Sequence, residues 1–152
     1  TVKGERHVDN HTVIDHRQPN SLSSQLYKGV LDDQARAVFN GKIFVRDIAQ
    51  QTNAYQLNRN LLLSPTAEAD TKPQLEIFAD DVKCSHGCTI GQLDEEALFY
   101  LRSRGIAKKE AQALLMYAFA NNVLQSVKIP ELKKRINKLI AEKIGVRMGF
   151  DL

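Results

Sequence analysis

Soft and borderline metal ligands come together at one place in the chain, Cys84-Ser85-His86-Gly87-Cys88. Thiolate and imidazole suit iron or zinc. In an extended segment Cys84, His86 and Cys88 share one face, because side chains alternate along a strand. Three ligands from so short a segment leave coordination positions open, as suits a transient site or one that a partner chain completes. The same residue types also have ordinary structural uses: a buried cysteine packs as a small hydrophobe, and a single histidine is more often hydrogen-bonded than metallated.

A second group, His7, His11 and His16 with Asp9 and Asp15, has the wrong spacing to converge. His7 and His11 fall on one strand face and His16 on the other, so these residues are read as structural or surface groups. The chain has no G-x-x-x-x-G-K-[ST] loop, no G-x-G-x-x-G after a strand and no G-x-S-x-G elbow. Nucleotide and serine hydrolysis therefore lack their usual equipment, and the chain is expected not to be an enzyme.

The elements that must position these residues fall into two halves. Up to about Ile90 the chain reads as short extended segments rich in β-branched and aromatic residues, with candidate strands around 11–14, 25–31, 36–39, 42–46, 60–63, 74–78 and 82–84. Asn40-Gly41 has the form of a tight turn, since both residues tolerate positive φ, and Pro65 and Pro73 bracket a polar connection. Many short strands at close spacing suit a sandwich, a barrel or a solenoid. In 25–31 apolar side chains occupy both parities, which favours a strand stacked between neighbours over one with a wet face.

After Gly91 the apolar period becomes helical. Asp94 caps a first helix with Glu95 and Glu96 in its first turn, and Arg102, Arg104 and Gly105 close it. A longer helix from Ala107 to about Val127 carries apolar residues on more than one face. A third starts at Pro130 and ends at Gly145, with Leu132, Ile136, Leu139, Ile140 and Ile144 on a stripe. The surplus apolar surface of the second helix points to a partner-binding patch around Met116, Tyr117, Phe119 and Ala120. The boundary divides residues 1–91 from 92–152.

Composition agrees with a folded chain that has a core. The hydrophobic share is 43% and the charged share 26%, and no run approaches the ~18 apolar residues of a membrane helix. Two cysteines separated by three residues are no secreted disulfide framework, which implies a reducing compartment. The chain opens Thr1-Val2-Lys3-Gly4, so a fragment or a processed form is expected. A formal net charge of +3 does not by itself imply nucleic acid. From Lys128 onward seven Lys and Arg, the last Arg147, face Glu131, Glu142 and Asp151. That segment is either a solvated helix face or a dock for an acidic partner, with the stripe Lys134, Lys138 and Arg147 as the second candidate for a docking face.

The stretch Thr71-Lys72-Pro73-Gln74-Leu75-Glu76-Ile77-Phe78-Ala79-Asp80-Asp81-Val82-Lys83-Cys84-Ser85-His86-Gly87, continued from Gly91-Gln92-Leu93-Asp94 to Arg102-Ser103-Arg104-Gly105, closely resembles the SufB/SufD scaffold family of iron–sulfur cluster assembly. His7 to His16 and Arg36 to Ile43 extend the resemblance over nearly the whole chain, and Lys-Cys-Ser-His-Gly resembles the SufD branch. The resemblance implies a partial right-handed parallel β-helix followed by a small helical domain. It implies pairing with a SufB-type subunit, docking of a SufC-type ATPase on the helical domain, and a transient cluster or iron at the SufB interface, with none held stably by this chain alone. It further implies a cytoplasmic or plastid-stromal site of action and neither membrane nor nucleic acid as partner; for the chain in isolation, monomer and homodimer both stay open. By position His86 and Cys84 match family residues near that interface; Cys88 stands where alanine is usual. The rival readings are a free-standing β-solenoid metal-binding protein and a basic helical nucleic-acid-binding module.

Overall fold

The structure, a computed structural model, describes residues 1–145. Arg147 and Asp151 of the basic C-terminal segment lie outside the described residues. The chain divides into two compact units, Val2–Ile90 and the residues from Gly91 onward.

The first unit is built from six strands: β1 (His7–His16), β2 (Leu22–Leu31), β3 (Arg36–Val45), β4 (Asn53–Leu62), β5 (Glu68–Ile77) and β6 (Lys83–Gly91). No strand pairs with its neighbour in sequence. The odd strands make one three-stranded sheet, β1-β3-β5, and the even strands another, β2-β4-β6. The pairing is parallel, with His7 opposite Arg36, Arg36 opposite Glu68 and Leu22 opposite Asn53. Corners between strands use residues that accept a left-handed backbone, Asn20 and Asp33 at φ 58° and Gln51 at φ 59°.

The two sheets share a core. Ile43, Val45, Ala49, Ala54 and Ala79 are buried together, with Ile14, Leu75, Val82 and Cys84 packed on them. A second cluster joins Leu31, Ala35 and Ala67 to Val2, Ala37 and Leu62. On the other face of β1-β3-β5 the strands are tied by exposed ion pairs, Arg36–Asp70 at 2.7 Å, Lys42–Glu76 at 2.6 Å and Arg46–Asp15 at 2.8 Å. Such pairs contribute little each, so the apolar core carries the stability and the pairs match the register.

Several boundaries differ from the sequence reading. Candidates 36–39 and 42–46 are one strand, and Asn40-Gly41 is its middle rather than a turn. Gly41 is there for space: a Cβ on it would stand 2.5 Å from Nε2 of Gln56 and 2.6 Å from Cζ of Phe39. Pro65 does lie in a turn, but Pro73 is inside β5. Glu68 and Phe78 N–H donate to the carbonyls of Ala35, just before β3, and of Val45 at its end, so even-numbered amides of β5 point to its partner and odd ones point away. Proline at 73 therefore breaks no ladder bond, because β5 is an edge strand among the described residues. Most of β4 escaped the sequence reading because three of its inward positions, Gln56, Asn58 and Asn60, are amides rather than apolar residues.

The helical unit follows the sequence closely. Asp94 Oδ1 accepts from the N–H of Glu96 at 2.9 Å and of Ala97 at 3.1 Å, opening α1 (Glu95–Ser103). Gly105, at φ 88°, turns the chain into α2 (Lys108–Asn121). Two successive asparagines, whose side chains compete for backbone bonds, end α2 earlier than the periodicity suggests, and a 3-10 turn (Asn122–Ser126) follows. The last helix, α3 (Pro130–Ile144), has Pro in its first turn and Gly145 in the left-handed position at φ 81°. Leu98, Ala111, Ala113, Met116, Leu124, Ala141 and Ile144 are buried. Among the described residues no helix is long and apolar enough to cross a membrane.

Candidate functional site at the last strand

The Cys-Ser-His-Gly-Cys segment is not a loop after a strand but most of β6 itself. In the β2–β4 ladder Asn53 N–H donates to the Ser21 carbonyl and Asn53 stands opposite Leu22; Lys83 N–H donates to the Thr52 carbonyl in the same way, at 2.9 Å. Lys83 therefore lies opposite Asn53, and Cys84, His86 and Cys88 lie opposite Ala54, Gln56 and Asn58. A Cβ built on Gly87 would stand 3.1 Å from Leu57 Cδ1, as this register requires. Four of the five buried positions of β4, Ala54, Gln56, Asn58 and Asn60, share the even parity, with Leu61 near the strand end as the fifth, so the even side chains of β6 belong to the inward face of the sheet.

Within that face the three ligand candidates have different surroundings. Cys84 is half-buried against the Ile43–Ala54 core. Burial pushes its thiol up, and the smaller opposing influence of the Ala54 backbone N–H does not cancel this. His86 and Cys88 are exposed. Alternate positions on a strand stand about 6.6–6.8 Å apart at Cα, so the outer two, Cys84 and Cys88, lie about 13 Å apart and the three do not close on one ion together, whereas neighbours on this face stay within reach of a shared one. Among the described residues no group of three or more His, Cys, Asp and Glu gathers to hold a metal ion. Extension thus puts the three on one face, as expected, and separates the outer two. The same spacing, about 13 Å from Cys84 to Cys88, bars a disulfide between them.

The edge of β6 is a second feature of the site. Its odd amides serve β4, so the N–H groups of Cys84, His86, Cys88 and Ile90 point to the side on which no strand is paired among the described residues. Ile90 is 48% exposed at this edge.

Behind the edge runs a polar seam that sequence reasoning missed. Gln56 is 2% exposed, and its Nε2 donates to Gln25 Oε1 at 2.7 Å. Asn60 Nδ2 donates to Asn58 Oδ1 at 2.6 Å, and the Asn60 amide fills the space a Cβ on Gly29 would need. Gln56 Oε1 is buried without a hydrogen-bond partner. The available signal was the period of two in Gln56, Asn58 and Asn60, which an apolar template does not detect.

The N-terminal histidines do not form a site. His11 pairs with Asp9 at 2.9 Å on the surface, while His16 is buried with Nε2 at 2.9 Å from Ser23 Oγ. In the helical unit Met116 is buried, and Tyr117, whose OH donates to Asn137 Oδ1 at 3.1 Å, is half-buried like Phe119 and Ala120. Met116 belongs to the helical core rather than to a surface patch, because it lies on the stripe of α2 shared with Ala113. The apolar side chains left exposed on this unit include Phe99, Tyr100, Leu132 and Leu139.

The family described as SUF system FeS cluster assembly, SufBD core domain, matches residues 1–119. The chain belongs to this SufBD family. It is 46% identical over 136 residues, 90% of the chain, to the iron–sulfur cluster assembly protein SufD of Escherichia coli. It is also 46% identical over 140 residues, 92% of the chain, to a SufBD family protein of Synechocystis, and 42% identical over 130 residues, 85% of the chain, to the chloroplastic protein ABCI7 of Arabidopsis thaliana. Within the SufBD family the chain is accordingly of the SufD type. The matches cover 32%, 31% and 27% of those relatives, so the chain spans about a third of their length.

Proposed function

We propose that this chain is part of a non-enzymatic scaffold subunit that pairs with a SufB-type subunit along β6 and docks a SufC-type ATPase on its helical unit. A nascent iron–sulfur cluster is the cargo of the pair, and this chain contributes His86, with Cys84 behind it, to the place where the cluster forms. The observation that carries the reading is the edge of β6: an uninterrupted row of outward amides beside an exposed imidazole and an exposed thiol. An open strand edge can be completed by a strand from another chain, and a face that gathers fewer than three donors leaves coordination positions for a partner's ligands. The family match supports the iron–sulfur context. In this reading the alternation of the two parallel sheets is a right-handed β-helix, the hand that parallel crossovers take.

The exposed Phe99, Tyr100, Leu132 and Leu139 support a docking role for the helical unit, since a soluble subunit gains by covering such side chains. A reducing compartment, bacterial cytoplasm or plastid stroma, agrees with bacterial SufD relatives and a chloroplastic one.

The test is co-purification with SufB-type and SufC-type partners followed by anaerobic cluster reconstitution and iron analysis. His86→Ala is expected to lower cluster yield while the complex stays assembled. A cluster yield equal to the unaltered complex, or a chain that no longer folds, removes His86 from the site.

A further inference from the structure

Gln25, Gln56 and His86 stand in one row across the inward face of β2-β4-β6, and the middle amide has a defined orientation. Gln56 Nε2 is turned toward β2, where it donates to Gln25 Oε1 at 2.7 Å. The carbonyl oxygen of the same amide is turned away from Gln25, and the register sets His86 beside Gln56 on the other flank. That oxygen is buried and accepts no hydrogen bond, and the residue is 2% exposed. A buried acceptor without a donor costs on the order of 1–3 kcal/mol, and such groups in folded chains have an explanation. The imidazole of His86, on the neighbouring strand, is the side-chain donor that the register puts next to it.

We propose that Gln56 is the positioning residue for His86: its buried carbonyl accepts one imidazole N–H and leaves the other ring nitrogen, with its lone pair, turned to the open edge of β6. The inference rests on the reading of His86 as a ligand toward cargo at that edge, and it adds how the ring is prepared. Histidine ligands commonly donate their second nitrogen to a carbonyl or carboxylate, which fixes tautomer and ring direction together. Here the Gln25 amide holds Gln56, and Gln56 in turn holds His86, so ring orientation is set by residues that touch no metal. Gly41 belongs to the same arrangement, because it vacates the volume that the Gln56 amide occupies.

The experiment is nitrogen-15 NMR of the imidazoles in the intact chain, with the His86 signals assigned by loss in His86→Ala and spectra taken at a pH of about 8.5, about two units above the range of a free imidazole. Gln56→Met keeps the volume and removes the acceptor, and Gln56→Glu keeps an acceptor. The expected result is a His86 tautomer ratio that moves about two- to twelvefold in Gln56→Met, the ratio equivalent of one ordinary hydrogen bond, and returns toward the original in Gln56→Glu. If Gln56→Met does not fold, Gln25→Met releases the Gln56 amide from its anchor and is expected to move the ratio in the same direction. An unchanged ratio in whichever variant folds overturns the proposal. Cluster yield with His86→Ala separates the two ideas: a moved ratio with undiminished yield keeps the positioning and removes the ligand role, whereas an unmoved ratio with lost yield does the reverse.

Discussion

Gly41 of β3 and Gln56 of β4 occupy one volume, the side chain of the second filling the place where the first would carry a Cβ, 2.5 Å from Nε2. Gly41→Ala must displace a buried amide or the Phe39 ring. Overpacking of this kind costs about 1–3 kcal/mol, read as a lower urea midpoint with an unchanged slope. Shortening the opposing side chain relieves it, so Gly41→Ala with Gln56→Ser is expected to lose less than the sum of the two single losses. Strict additivity would show that the two residues do not compete for space.

The two cysteines should react unequally. Cys88 is exposed, and Cys84 is half-buried with its thiol pushed up by burial, so less of it is thiolate at neutral pH. Iodoacetamide is expected to modify Cys88 first and Cys84 slowly, with the difference vanishing in urea. Equal rates in the folded chain would contradict the packing of Cys84.

Asp15 is held by two guanidiniums. The hydrogen bond from Arg46 is the larger influence and that from Arg17, at 2.7 Å, the next, and together they bring its carboxyl from 3.8 down to about 2. A depressed carboxylate contributes stability that is present above pH 3.8 and lost as pH falls through about 2. Asp15→Asn should therefore be less stable than the unaltered chain near pH 6, and the two should converge between pH 4 and pH 2. A difference that persists at pH 2 would point to packing instead of charge.

In the helical unit, Met116→Ala opens a cavity in the core and is expected to cost about 2–5 kcal/mol, whereas Phe99→Ala on the exposed face changes stability by no more than about 0.5 kcal/mol. Circular dichroism during urea unfolding measures both. If Phe99→Ala proves as costly as Met116→Ala, the exposed apolar surface of α1 is covered in solution.

The starts of the three helices and the ends of the first and third were legible in the sequence, because Asp94, Gly105, Pro130 and Gly145 act through bonds within a few residues of themselves, whereas α2 ends about six residues early. The shared face of Cys84, His86 and Cys88 was legible for the same local reason, the period of two of any strand. Strand length and order were not. Asn40-Gly41 and Pro73 carry the local marks of turns, yet both lie inside strands, because the space beside Gly41 is filled by a side chain from another sheet and the amide missing at Pro73 faces an unpaired edge. The separation of the ligand candidates, the exposure of Met116 and the role of Gln56 also depend on which chain segments become neighbours. Residues far apart in sequence set those distances, and a single strand or helix carries no trace of them.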